Sequence, residues 1–414
     1  MDFFGHPETP DGMGGGWVRR GRLDQRLLPV VGVVMAAVLA LTAWRLTPTG
    51  AHQAGSDPPG TSPVSAGGLG TSAPAMTSAT VSPSAMASAT ATAGAGAGTA
   101  VAGDDAAAAA VPRVAPATHL GPFPSGVAAG TLAEANAWAT FRGRPNDVVV
   151  TYTDRSSWHT IVRPGIGRDR NHFAGFPGTW VITQPLFPES GPERGNLTDC
   201  AAGAYDGYWR DFGLWLVAKG RGSSFVRLGW EFNGGWFAWS AVNPILWIRC
   251  YRHAASAIRR TDPQVRLDWN LHAHGSVGVA DAFELYPGDA YVDVIGIDAY
   301  DHYPPSVDPA TFDAQCNGLD GLCGVVRFAR LHNKLFSVPE WGVVAKEGSQ
   351  AGPLGQAGGD NALFVAKMYK VFVDNADILA YEAYFNEDRV GDVRSALINP
   401  TVNPLAAREY QRLW

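Results

Sequence analysis

Two glutamates in this chain sit where acid and base chemistry could be done. Glu231 lies within VRLGWEFNGGWFAWS (226–240), and Glu340 lies within KLFSVPEWG (334–342), about 110 residues later. A carboxyl surrounded by Trp230, Trp236 and Trp239 suits a general acid, because partial desolvation raises its pKa toward neutrality. Glu340, followed by Trp341, supplies a second carboxylate, and two such groups about 5 to 5.5 Å apart are what retaining glycoside hydrolysis requires. Side chains alternate along a strand, so a strand over Ser224–Glu231 would put Arg227, Gly229 and Glu231 on one face. A buried Arg beside two carboxylates is costly unless it has work to do.

The elements that must hold these residues are short β-branched runs alternating with amphipathic stretches. Strands are predicted at Gly126–Ala129, Asp147–Thr153, Thr179–Leu186, Ser224–Glu231, Val265–Leu271, Val292–Asp298, Leu335–Glu340 and Ile378–Phe385. Helices are predicted at Leu132–Phe141, Asp206–Lys219, Pro244–Arg260, Thr311–Leu331 and Asn361–Asp374. Eight strand and helix repeats without a Gly-rich phosphate loop predict an α/β fold, a (β/α)8 TIM barrel, with its active site at the C-terminal strand ends. Both glutamates fall there.

A weaker reading is a metal-dependent hydrolase. His272 and His274 form an HxH at the end of the fifth strand, and Asp298, Asp301 and His302 follow the sixth. The motif is unspecific, and barrel metallohydrolases usually open with it on the first strand, where this chain has only small residues. No metal or other cofactor is therefore expected.

The 414 residues divide unevenly in composition. All 12 Tyr, and all Trp except Trp17 and Trp44, lie after His119, so residues 119–414 are expected to form the one large domain. Residues 46–118 are Ala, Gly, Ser, Thr and Pro rich, hold no aromatic residue, and read as a disordered linker. Before them, an apolar run from Leu27 to Trp44 follows Arg19, Arg20, Arg22 and Arg26. That charge asymmetry predicts a cytoplasmic tail (1–26), a transmembrane signal anchor (27–45) and an extracytoplasmic remainder, with cleavage and secretion as the alternative. A net charge of −6 without Lys/Arg clusters argues against nucleic acid as a partner. A monomer is expected.

Four cysteines in an exported segment are disulfide candidates. Cys316 and Cys323 flank a short NGLDGL loop, while Cys200 and Cys250 lie on helices after the third and fourth strands. The connectivity stays open at this point.

VRLGWEFNGGWFAWS, VPEWG and the sixth-strand segment VDVIGIDAYDHY together resemble glycoside hydrolase family 26, a clan A family of (β/α)8 endo-β-mannanases with relatives acting on β-xylan and β-glucan. The resemblance implies Glu231 as acid/base and Glu340 as nucleophile. It further implies Arg227 and Tyr300 as supports of the nucleophile, and Trp236 and Trp239 as sugar platforms. Asn233, Trp341, Tyr384 and Asn386 are expected near the mouth. One departure stands out. The family usually has His before its acid/base, and here Trp230 occupies that place, which changes the contacts to the sugar. A β-linked polysaccharide is the implied substrate, β-1,4-mannan first and β-glucan or β-xylan next; a non-catalytic glycan-binding wall protein is the alternative of another class.

Overall fold

The computed structural model describes residues 121–414. The tail, anchor and linker expected over 1–118 lie outside the described residues, as does the expected domain start at 119. Among the described residues no helix is long and apolar enough to cross a membrane.

Eight parallel strands close into a barrel in sequential order. They are β1 (Ser125–Ala128), β2 (Val148–Tyr152), β3 (Thr179–Gln184), β4 (Phe225–Leu228), β5 (Arg266–His272), β6 (Val294–Tyr300), β7 (Leu335–Gly342) and β8 (Leu379–Phe385). Around them lie α1 (Leu132–Arg142), α2 (Trp158–Val162), α3 (Leu197–Ala201), α4 (Asp206–Ala218), α5 (Pro244–Thr261), α6 (Pro309–Asn317), α7 (Leu322–Leu331), α8 (Ala362–Asp374) and α9 (Pro404–Leu413). Between β5 and β6 the chain makes only a 3-10 turn, Ala282–Leu285.

All eight predicted strands are present, and the differences lie at their ends and in one helix. The helix expected over Thr311–Leu331 is two helices. A backbone running through Asn317 and Gly318 to Gly321 breaks it, and a Cys316–Cys323 disulfide closes the break. Cys200 pairs with Cys250 and ties α3 to α5 across a sequence separation of 50. On a chain-entropy view such a loop closure contributes about 4 kcal/mol.

Two layers of packing follow from strand alternation. Outward residues such as Trp180, Trp269 and Trp341 meet the helices, where Trp138, Trp209 and Trp247 are also fully buried. Inward residues Val148, Val150, Val181, Phe225 and Val294 fill the barrel floor together with Tyr381. Above them Asp268 accepts hydrogen bonds from Ser337 and Tyr381, each at 2.6 Å, and burial pushes its carboxyl up to about 6. Gly296 is required at this level. A Cβ there would stand 2.4 Å from Asp268 Oδ1 and 2.7 Å from Ser337 Oγ.

Candidate functional site

The strands deliver the two glutamates by different local devices. β4 ends at Leu228, three residues short of the expected Glu231, so alternation does not aim that side chain. The chain instead turns through Gly229 (φ 61°) and Glu231 (φ 48°), left-handed conformations that only glycine adopts freely. Glu231 N–H donates to the Asn270 carbonyl at 2.9 Å, which fixes the turn against β5. A non-glycine residue held in this region is strained, a feature that clusters at functional sites.

Glu340 is aimed by a bulge. On β6 the partners of Ser337 and Glu340 are Gly296 and Asp298, two residues apart, whereas on β7 they are three apart. The extra residue falls at Val338–Pro339, where proline has no N–H to offer the ladder. Both Ser337 and Glu340 therefore face the barrel interior, and Trp341 faces out.

Between the glutamates lies a buried polar network centred on Arg227, which is fully enclosed. Its Nη1 donates to Glu340 Oε1 at 2.8 Å and to Thr183 Oγ1 at 3.0 Å. Nη2 donates to Asp298 Oδ2 at 2.5 Å and to Asn270 Oδ1 at 2.9 Å. Asn270 Nδ2 in turn donates to Asp298 Oδ1 at 3.1 Å, and Tyr300 Oη donates to Glu340 Oε2 at 2.9 Å. Burial works against the charged guanidinium, but Asp298 and Glu340 hold its pKa well above the ordinary value.

Glu231, Asp298 and Glu340 bring carboxylate oxygens within 4.8 Å of one another. One enclosed cation cannot balance three carboxylates, so protons are retained. Desolvation, reinforced by the Glu340 charge, raises Glu231 from 4.5 to about 8, against the pull of Arg227 and the 3.1 Å hydrogen bond donated by Trp236 Nε1. Burial, with the Glu340 and Glu231 charges, moves Asp298 upward as well, against the pull of Arg227. The arrangement joins a protonated acid to a second carboxylate locked by Arg and Tyr, separated by less than the roughly 6.5 to 9.5 Å that a direct water attack needs.

The aromatic residues divide sharply. Trp236 is 48 % exposed beside Glu231, its ring edge against His272 at 4.7 Å, and it is the one expected platform at the surface. Trp239, expected as the other platform, is fully buried and donates to the Trp230 carbonyl at 3.0 Å. Trp230, also expected as a substrate contact, is 3 % exposed and packs on Phe237 and Trp239. Trp341 and Tyr384 are likewise not substrate contacts. Trp341 Nε1 donates to Glu382 Oε2 at 2.6 Å, and Tyr384 Oη donates to the Ser395 carbonyl at 2.8 Å, both between barrel and helices. Asn233 ties the loop to β5 by donating to the His272 and Gly275 carbonyls, and Asn386 ties the β8 loop to Leu397 and Ile398.

This division sets an expected outcome. Trp236→Ala should weaken polysaccharide binding on the order of tenfold with little change in Tm. Trp239→Ala should destabilise by about 3 to 5 kcal/mol. Binding isotherms with thermal melts of both variants check this, and equal melting losses would place Trp236 in the packing instead.

The carboxylates of the metal reading are taken up by other partners. Asp298 is engaged by Arg227 and Asn270, and Asp301 accepts from Ser306 N–H and Asn361 Nδ2. Burial lowers His272 and His302 to about 3 and His274 to about 4, which leaves three neutral imidazoles along one side of the mouth. Where the carboxylates do cluster, the Arg227 guanidinium already stands as their cation.

Sequence reasoning missed Thr183 and Asn270. Both lie on inward positions of the alternation, with Arg227 on the neighbouring strand, and that pattern was the signal that could have found them.

Residues 224–332 match the family model for Glycosyl hydrolase family 26. Endoglucanase H of Acetivibrio thermocellus is 25 % identical over 289 residues, covering 67 % of this chain and 29 % of that protein. Among solved structures, a modular endo-β-1,4-mannanase from Cellulomonas fimi shares 18 % identity over 66 % of this chain and 64 % of its own, with a TM-score of 0.47. The GH53 catalytic domain of Ignisphaera aggregans shares 16 % over 73 % of this chain and 98 % of its own, at a TM-score of 0.46. The chain thus spans less than a third of the curated relative it matches.

Proposed function

We propose, from the premise that this chain is glycoside hydrolase family 26-like, that it is a retaining endo-glycosidase acting on a β-linked polysaccharide, β-1,4-mannan first. The observation that carries the reading is the carboxylate pair itself. Glu231, raised to about 8, faces Glu340, which Arg227 and Tyr300 hold by one oxygen each.

In the first step a Glu340 oxygen attacks the anomeric carbon, the glycosidic C–O bond breaks, and the Glu231 proton passes to the leaving oxygen. In the second, Glu231, now a carboxylate, takes a proton from water as that water's oxygen displaces Glu340 from the anomeric carbon. Trp236 offers a flat apolar face for a pyranose and orients Glu231 through its indole N–H. A non-catalytic glycan-binding role would need neither an acid nor a nucleophile, nor the burial cost of Arg227.

A second substrate reading, β-glucan, is supported by the relative named Endoglucanase H. Reducing-sugar release by the full chain from mannan, mixed-linkage β-glucan and β-xylan tests the proposal. Activity on one of the three with retained anomeric configuration supports it, and inactivity on all of them sinks it.

The N-terminal anchor belongs to the same proposal, with the catalytic domain on the extracytoplasmic side. Pairing of all four cysteines supports an oxidising compartment. Full-length protein should stay with membranes and release an active domain on limited proteolysis of the Ala/Ser/Thr segment. Recovery of soluble protein beginning near Arg45 would count for signal cleavage instead.

A further inference from the structure

We propose that Tyr152 is a positioning residue for Glu340, a second tyrosine hydroxyl that supports this carboxylate when it departs from the sugar. The inference rests on the glycosidase reading above.

Tyr152 ends β2, in the inward register of Val148 and Val150, and its Cα partner on β3 is Thr183, the residue that accepts from Arg227. Its hydroxyl oxygen is buried, and Glu340, Arg227 and Asp298 are the charged groups that act on it. Phe385 packs on this tyrosine. Its ring meets Tyr152 edge-on at 6.2 Å and Tyr300 edge-on at 5.8 Å, so one phenylalanine spaces two tyrosines around the same carboxylate. Burial, with the Glu340 charge adding to it, moves the Tyr152 phenol far above its ordinary range, so it remains a donor at every working pH.

Tyr152 also lines a cavity of about 600 Å³ at the β1, β2 and β8 strand ends, together with Gly130, Phe385, Asn386 and Arg389. Tyr152 thus lies at the edge of this cavity and next in register to the Thr183 that Arg227 contacts.

Arg227 and Tyr300 already hold Glu340 before reaction. A third donor matters most when the glycosyl ester breaks, because the departing carboxylate then regains its full charge and any donor aimed at it lowers that barrier. Active-site hydrogen bonds of this kind tighten along the reaction rather than in the free enzyme.

The test is Tyr152→Phe in the full chain, assayed with an activated aryl β-glycoside. Deglycosylation should slow by about tenfold or more. Because the intermediate then accumulates, kcat and KM should fall together, kcat/KM should change little, and a pre-steady-state burst should appear. The alkaline limb of the polysaccharide pH profile should stay where it is in the wild type.

Val150→Ala, two residues before Tyr152 on the same inward face, separates packing from hydrogen bonding, since it removes barrel-floor contacts while the hydroxyl and its Phe385 contact stay in place; it should lower Tm without producing a burst. Wild-type kcat and KM for Tyr152→Phe, or a fall in kcat/KM with no burst, would overturn the inference while leaving the enzyme a glycosidase. An inactive wild type would instead remove the glycosidase reading itself.

Discussion

Replacing Glu340 by Ala or Gln should abolish hydrolysis of every substrate, activated or not, by about 10⁴-fold or more. No other carboxylate can take its place. Asp298 is held by Arg227 and Asn270, and Glu231 lies on the opposite side of the mouth. Glu340→Gln is the better variant for the fold, because an amide keeps the volume and can still accept from Arg227, whereas Ala leaves Nη1 with Thr183 alone. Rates on polysaccharide and on aryl glycoside, compared with the melting curve of each variant, check the prediction. If azide restores turnover to Glu340→Ala and gives an α-glycosyl azide, the inversion expected of a missing nucleophile is seen. A β-product from that variant would mean that the roles of the two glutamates are exchanged.

Glu231→Ala should fail in a different way. Polysaccharide hydrolysis should drop by about 10² to 10⁴-fold, the usual worth of general acid catalysis. An aryl glycoside with a good leaving group needs little protonation, so its glycosylation step should survive while deglycosylation slows. Azide needs no general base, so it should rescue turnover and yield the β-glycosyl azide. Absence of rescue together with normal folding would count against Glu231 as the acid/base.

The pH dependence follows from the same residue. Glu231 acts as an acid only while protonated, and its pKa is raised from 4.5 to about 8 by desolvation and by Glu340. The rate on unactivated substrate should therefore hold at neutral pH and fall as pH rises through about 8. That limb should vanish for the aryl substrate in Glu231→Ala. Stability should move with the same proton. The folded value exceeds the unfolded one, so the contribution is complete below about pH 4.5 and lost as pH rises through about 8. Glu231→Gln, uncharged at every pH, should gain Tm over the wild type above pH 8 and match it below 4.5.

The barrel could be read from the chain because its information is local and repeated. Each strand is a β-branched run bounded by turn residues, and eight of them separated by helical patterns leave few other ways to bury both faces of a parallel sheet. The pairing of Glu231 with Glu340, and the support of Glu340 by Arg227 and Tyr300, was legible for a related reason. These residues stand at strand ends beside aromatic neighbours, and they carry a family's motifs. Side-chain direction was not legible in the same way. Trp236 and Trp239 are three residues apart and look alike in sequence, yet one is exposed beside the acid and the other is buried against Trp230, because the loop after β4 closes on itself, the Ala241 N–H donating to the Phe232 carbonyl. Tyr384 sits at a strand end as Tyr152 does, but the phase of alternation turns the first toward the helices and the second toward the mouth. The aim of both glutamates came only with the tertiary structure. Glu231 reaches the site through two left-handed residues, and Glu340 through a one-residue bulge at Pro339. The bulge reverses which face Glu340 occupies and the turn carries Glu231 beyond its strand, and neither leaves a mark in hydrophobic periodicity, because what holds them is pairing with the neighbouring strands and the pull of a single buried arginine.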